Sequence, residues 1–74
     1  MIKQKQLNIT VLKEHLKNSE YIEVDTIGII DLQTINLLCT FYDRMKPSGR
    51  DQFNTIIQGH FLPRLIEKLW AVVD

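Results

Sequence analysis

Apolar and polar residues change their spacing along this chain, and each change marks an element. Between Tyr21 and Ile27, Ile22 and Val24 alternate with Glu23 and Asp25 in a stretch rich in β-branched residues and followed by Gly28. Successive side chains of a strand point to opposite faces, so this alternation predicts a strand over Tyr21–Ile27. From Leu32 the apolar positions Leu32, Ile35, Leu38, Cys39, Tyr42 and Met45 recur at intervals of three and four, the spacing of a helix with one buried stripe. Asp31 stands just before that run. Its carboxylate is placed to accept from the free N–H groups of Gln33 and Thr34 at the positive end of the helix dipole. Lys46-Pro47 ends the helix, because the residue before a proline is pushed out of helical conformation.

Beyond the break, Ser48 followed three residues later by Asp51 has the form of an acidic capping box. It predicts a short helix through "RDQFNTIIQGH" with Phe53, Ile56 and Ile57 on one face, ended by Gly59. A last helix follows in "FLPRLIEKLWAVVD", with Pro63 in the first turn, where its missing N–H costs little. Leu62, Leu65, Ile66, Leu69 and Val73 make one stripe, which Phe61, Trp70 and Val72 widen, and the helix is expected to reach the end of the chain. Upstream, "TVLKEHLKNS" predicts a short helix with Val11, Leu12 and Leu16 inward, preceded by a strand over Lys5–Ile9. A lone strand leaves its backbone groups unpaired. Tyr21–Ile27 is therefore expected to pair with Lys5–Ile9 through a right-handed β-α-β crossover, or with the same strand of a second molecule. The resulting fold class is helix-dominated α+β, in the order β-α-β-α-α-α, as a single small domain over residues 1–74. An all-α helical bundle is the alternative if Tyr21–Ile27 is not a strand.

Composition sharpens this picture in a few places. A 74-residue chain buries only about 60–65% of its unfolded surface, so a second copy would add welcome burial. With 45% hydrophobic and 24% charged residues the chain is expected to fold rather than stay disordered. Nine basic residues balance nine acidic ones, which removes the positive field of a general nucleic-acid binder and favours self-association. Cys39 is the only cysteine, so no disulfide can form within the chain, and a reducing cytoplasm is the expected home. "MIKQKQLNIT" has lysines but no apolar run after them; neither a signal peptide nor a membrane span is expected.

Candidate chemistry is sparse. His15 and His60 have no second ligand at helical spacing, and Cys39 falls mid-helix on the apolar stripe rather than at a helix start. Ser19 and Ser48 fit turn or cap positions, and Glu20, Glu23, Asp25 and Asp31 read as a solvated acidic face. No catalytic residue, metal or cofactor is expected, and the chain does not read as an enzyme. The stronger signal is a surplus of apolar side chains. Phe41, Tyr42, Phe53, Phe61 and Trp70 fall on three helices too small to enclose every face they present. A partner surface is expected from Leu37, Phe41, Leu69 and Trp70, with Arg44, Arg64 and Glu67 as charges at its rim.

The function these residues suggest is a protein-interaction module (an adaptor, inhibitor or regulatory subunit) that uses its C-terminal helices and self-associates, in the simplest case as a dimer. The first alternative is a dimeric nucleic-acid-binding regulator presenting the Lys46–Arg50 loop and Arg64 twice. A second comes from a family likeness. "YIEVDTIGIIDLQTINLLCTFYDRM" resembles the central strand-turn-helix of STAS domains, the fold of anti-sigma-factor antagonists, in which an Asp and often a phosphorylatable Ser or Thr lie in the turn before the helix. Asp31 matches, whereas Leu32 stands where the hydroxyl residue would be. The resemblance implies a STAS-like regulatory domain lacking the phosphoacceptor.

Overall fold

The structure is a computed structural model that describes residues 1–73, with side-chain environments given through Val72. It contains α1 (Ile9–Lys17), β1 (Ile22–Val24), β2 (Gly28–Ile30), α2 (Leu32–Arg44), α3 (Pro47–Ile57) and α4 (Leu62–Val73). The chain thus has the helix-dominated α+β architecture, with one two-stranded antiparallel sheet among the described residues.

The predicted strand over Tyr21–Ile27 is instead the first arm of a hairpin. β1 stops at Val24, the chain turns through Asp25–Thr26–Ile27, and β2 returns with Ile22 opposite Ile30, Glu23 opposite Ile29 and Val24 opposite Gly28. The Ile27 N–H donates to the Val24 carbonyl at 3.4 Å, and Gly28 leaves the turn at φ +95, a conformation that costs a residue without Cβ very little. A hairpin closes a short loop, so β1 meets its partner at small entropic cost. No strand forms over Lys5–Ile9. Gln4–Gln6 make a single 3-10 turn, Leu7 is fully buried, and Asn8 caps α1 by accepting from the Val11 N–H at 3.0 Å. The expected crossover from Lys5–Ile9 is therefore absent, and the parallel contact to β1 comes from a single bridge at Ile2. Ile2 pairs in parallel with Val24: its N–H donates to the Glu23 carbonyl at 2.7 Å, and its carbonyl accepts from the Asp25 N–H at 2.9 Å.

Helix ends explain the remaining boundaries. At the end of α1, Ser19 adopts a left-handed φ of 55, the Glu20 N–H reaches the His15 carbonyl and the Ser19 N–H reaches the Leu16 carbonyl, the two bonds of a Schellman motif. Asp31 caps α2 as expected, its Oδ1 accepting from the Thr34 N–H at 2.8 Å. At α3 the capping box does not form. Pro47 opens the helix, Lys46 occupies the cap position without a side-chain bond, and Ser48 is exposed inside the first turn. The fixed φ of proline suits the first helical position, which moves the start ahead of Ser48. Pro63 lies in the first turn of α4, as its sequence context predicts.

Every α-helix and strand contributes to one core, and Leu7 joins it from the segment before α1. Leu7 and Leu12 enter from the N-terminal side, Ile22, Val24 and Ile30 from the sheet, Ile35, Leu38 and Cys39 from α2, Phe53 and Ile57 from α3, and Leu62 from α4. Helix α2 packs against both α1 and α4. Where α2 meets α3, the Tyr42 ring lies edge-on to Phe53 at 5.1 Å and is flanked by the Lys13 ammonium and the Arg50 guanidinium. Arg50 also donates from Nε to the Tyr42 carbonyl at 3.2 Å and from Nη2 to the Asp43 carbonyl at 2.9 Å, so it closes the end of α2.

The Asp31 cap has a measurable consequence. Hydrogen bonding from the Thr34 hydroxyl, then from its N–H, holds the Asp31 carboxyl below its ordinary value of 3.8. A depressed folded-state value means that the stabilisation is present above the unfolded value and fades as pH falls through the folded one. Asp31→Ala is expected to cost about 1 kcal/mol at neutral pH. In urea titrations the gap between wild type and Asp31→Ala should narrow below the ordinary Asp value of 3.8, while Asp31→Asn keeps most of the cap. A gap that stays constant into that acid range would show that the carboxylate plays no part.

Candidate functional surface

The outward face of α2 is built by spacing. Gln33, Asn36, Leu37, Thr40 and Arg44 recur at three- and four-residue intervals, opposite the stripe that enters the core. Trp70 sits at the edge of the α4 stripe, half-buried, and meets that face: Gln33, Asn36, Leu37, Thr40, Arg44 and Trp70 line one open groove between α2 and α4. Half-buried Leu37 and Trp70 supply its apolar lining, Gln33, Asn36 and Thr40 add amides and a hydroxyl, and Arg44 is exposed.

The residues expected to form a partner surface are therefore distributed over three places. Leu37, Arg44 and Trp70 come together in the groove. Phe41 and Leu69 are half-buried and pack against the core, the Phe41 ring lying 6.3 Å from that of Phe53. Arg64 and Glu67 are exposed with Lys68 and Ala71 on another face of α4, outside the groove lining. The exposed apolar side chains lie elsewhere again. Phe61, just before α4, is 65% exposed and Val72 83%. Tyr21 and Ile29 are also largely exposed; β alternation puts Tyr21, Glu23 and Ile29 on the sheet face that points away from Ile22, Val24 and Ile30. Sequence reasoning passed over Ile29 because the second strand went unseen. The β-branched pair Ile29-Ile30 just after Gly28 was the available signal.

A second surface feature is polar. The Gln4 side-chain amide donates to the Ile57 and Gly59 carbonyls at 3.0 and 2.7 Å and accepts from the Thr26 hydroxyl, while its backbone N–H donates to Asp25 Oδ1 at 3.0 Å. Gln58 donates to the Leu7 carbonyl at 2.8 Å, and Asn54 accepts from the Ile9 N–H at 2.9 Å. These amides clasp the N-terminal segment onto the end of α3 and the hairpin turn. No sequence pattern marked Gln4, Asn54 or Gln58, because each pairs with backbone far away in the chain. A cleft beside the clasp is lined in part by Lys3, Lys5 and His60, but the amide groups next to it are engaged within the fold.

Residues weighed for catalysis are dispersed. Cys39 is buried in the core, where desolvation pushes its thiol above the ordinary value. His15 Nδ1 lies 3.3 Å from the Tyr21 carbonyl, and His60 is exposed at the other end of the hairpin layer, beside the clasp. Among the described residues no group of three or more His, Cys, Asp or Glu is placed to hold a metal ion.

No protein-family model, curated protein or solved structure matches this chain. The segment that resembles a STAS strand-turn-helix folds as a hairpin leading into α2, with Asp31 at the cap and Leu32 opening the helix. Among the described residues no helix is long and apolar enough to cross a membrane. The functional reading consequently rests on surface geometry.

Proposed function

We propose that this chain is a non-enzymatic protein-interaction module, an adaptor, inhibitor or regulatory subunit of the cytoplasm, whose docking surface is the α2–α4 groove. The observation that carries the reading is the convergence of Leu37, Trp70 and Arg44 from two helices on one open groove. A groove lined by Leu37, Trp70 and the cationic Arg44 suits a partner's apolar side chains and an acidic flank: the apolar contact supplies affinity and Arg44 sets orientation. Phe41 and Leu69 act from beneath by fixing α2 and α4 to the core. Arg64 and Glu67, on another face, contribute little to this contact.

The nucleic-acid reading loses support from the same geometry. The segment read as a Lys46–Arg50 loop opens α3, whose Arg50 is held by the Tyr42 and Asp43 carbonyls, and Arg44 and Arg64 line different surface depressions.

The test is affinity capture from the source cells with wild-type, Leu37→Glu and Lys68→Glu baits, each checked for native circular dichroism. A partner held by wild type should be held by Lys68→Glu and lost with Leu37→Glu, and Trp70→Ala should weaken it about tenfold or more. Equal retention by Leu37→Glu, or no specific retention at all, would sink the groove as the docking surface.

A further inference from the structure

We propose that β2 is a pairing edge for a second copy of this chain, joined antiparallel across a two-fold axis centred on Ile29 to make one four-stranded sheet.

The Glu23 carbonyl and the Asp25 N–H point toward Ile2, so Glu23 turns its backbone groups away from β2. Glu23 and Ile29 are therefore a non-hydrogen-bonded pair of the antiparallel ladder, in which both residues direct N–H and C=O outward. On the β1 side Ile2 takes up those groups. On the β2 side no group among the described residues pairs with the Ile29 N–H or C=O, and the Ile29 side chain is 64% exposed. The edge thus offers one donor, one acceptor and an uncovered apolar side chain on the same residue.

That arrangement is self-complementary. In an antiparallel pair centred on Ile29, the Ile29 N–H of each copy meets the Ile29 carbonyl of the other, an isologous contact that closes on itself. Gly28 falls opposite Ile30 and Ile27 opposite Asp31 of the second copy, so no two like charges are set against each other. Nor does β2 carry a lysine, proline or other charged residue of the kind that guards an edge. The net charge of zero adds no repulsion between copies. The contact is small, so the dimer is a weak one. It is separate from the α2–α4 groove, and its success or failure leaves that reading untouched.

Light scattering between about 10 μM and about 1 mM should show wild-type mass rising toward twice the monomer. Ile29→Lys, a change at an exposed position, should remain monomeric with unchanged circular dichroism, and Trp70→Ala should self-associate like wild type. A cysteine pair provides the register. Residues paired this way place Cα atoms about 5.5 Å apart, within disulfide range, so Ile29→Cys should cross-link under mild oxidation while Glu23→Cys, one strand further in, does not. Cys39, buried in the core, keeps the background low. A wild-type monomer throughout, dissociation by Trp70→Ala with Ile29→Lys unaffected, or equal cross-linking at positions 23 and 29 would each overturn the proposal.

Discussion

Phe53→Ala is expected to remove about 3–5 kcal/mol of folding stability, enough to leave a domain of this size largely unfolded. Phe53 is fully buried, and it is the largest of the fully buried side chains. It carries α3 into the core, with Tyr42 edge-on at 5.1 Å and Phe41 tilted at 6.3 Å. Truncation opens a cavity that backbone held by caps and by the amide clasp cannot collapse into. It also strips the aromatic edge from Tyr42, whose faces hold Lys13 and Arg50. Phe53→Leu, which keeps more of the volume, should lose less. Urea denaturation followed by circular dichroism measures both. A loss under about 1 kcal/mol for Phe53→Ala would mean that α3 is not packed as described.

Leu62→Ala is expected to cost about 2–5 kcal/mol and, with it, the groove. Leu62 is the one α4 side chain fully buried among the described residues, whereas Leu65, Ile66 and Leu69 are half-buried against the core. It pins the start of α4, and the rest of the helix, including Trp70, follows that anchor. Trp70 is the only tryptophan, so its fluorescence reports α4 while far-ultraviolet circular dichroism reports all helices. If the two melting curves of Leu62→Ala separate, with fluorescence changing first, α4 detaches as a local unit. If they coincide, α4 unfolds with the whole. Leu69→Ala, at a half-buried position, should cost less than Leu62→Ala; the reverse order would place the anchor of α4 at its far end.

Much of the helical framework was readable from local chemistry. The stripe from Leu32 to Met45, the Asp31 cap and Pro63 in the first turn of α4 depend on neighbours within a turn or two, which spacing exposes directly. The start of α3 was misplaced because Ser48 with Asp51 and Pro47 both signal a helix N-terminus, and the proline's restricted φ decided between them. The hairpin was hidden for a different reason: the alternation within Tyr21–Ile27 reads as one strand, and Asp25 with Gly28 makes a turn only once Ile22 and Ile30 share a core face. The surface residues split along the same line. Helical period put Leu37 and Phe41 outside the α2 core stripe, Leu69 in the α4 stripe and Trp70 at its edge, but a half-buried aromatic packed on the core and one lining a groove obey the same period.

By itself, the sequence determined the helix-dominated α+β class, the helical faces that enter the core and the cap of α2, because each follows from hydrogen bonds and side-chain spacing within a few residues. Only the tertiary structure decided the rest. The parallel bridge of Ile2 to Val24, the Gln4, Asn54 and Gln58 clasp, the meeting of Leu37 with Trp70 and the open edge at Ile29 all join residues far apart in the chain. Such contacts form only after local elements have packed, and several sequence separations satisfy the same local pattern equally well.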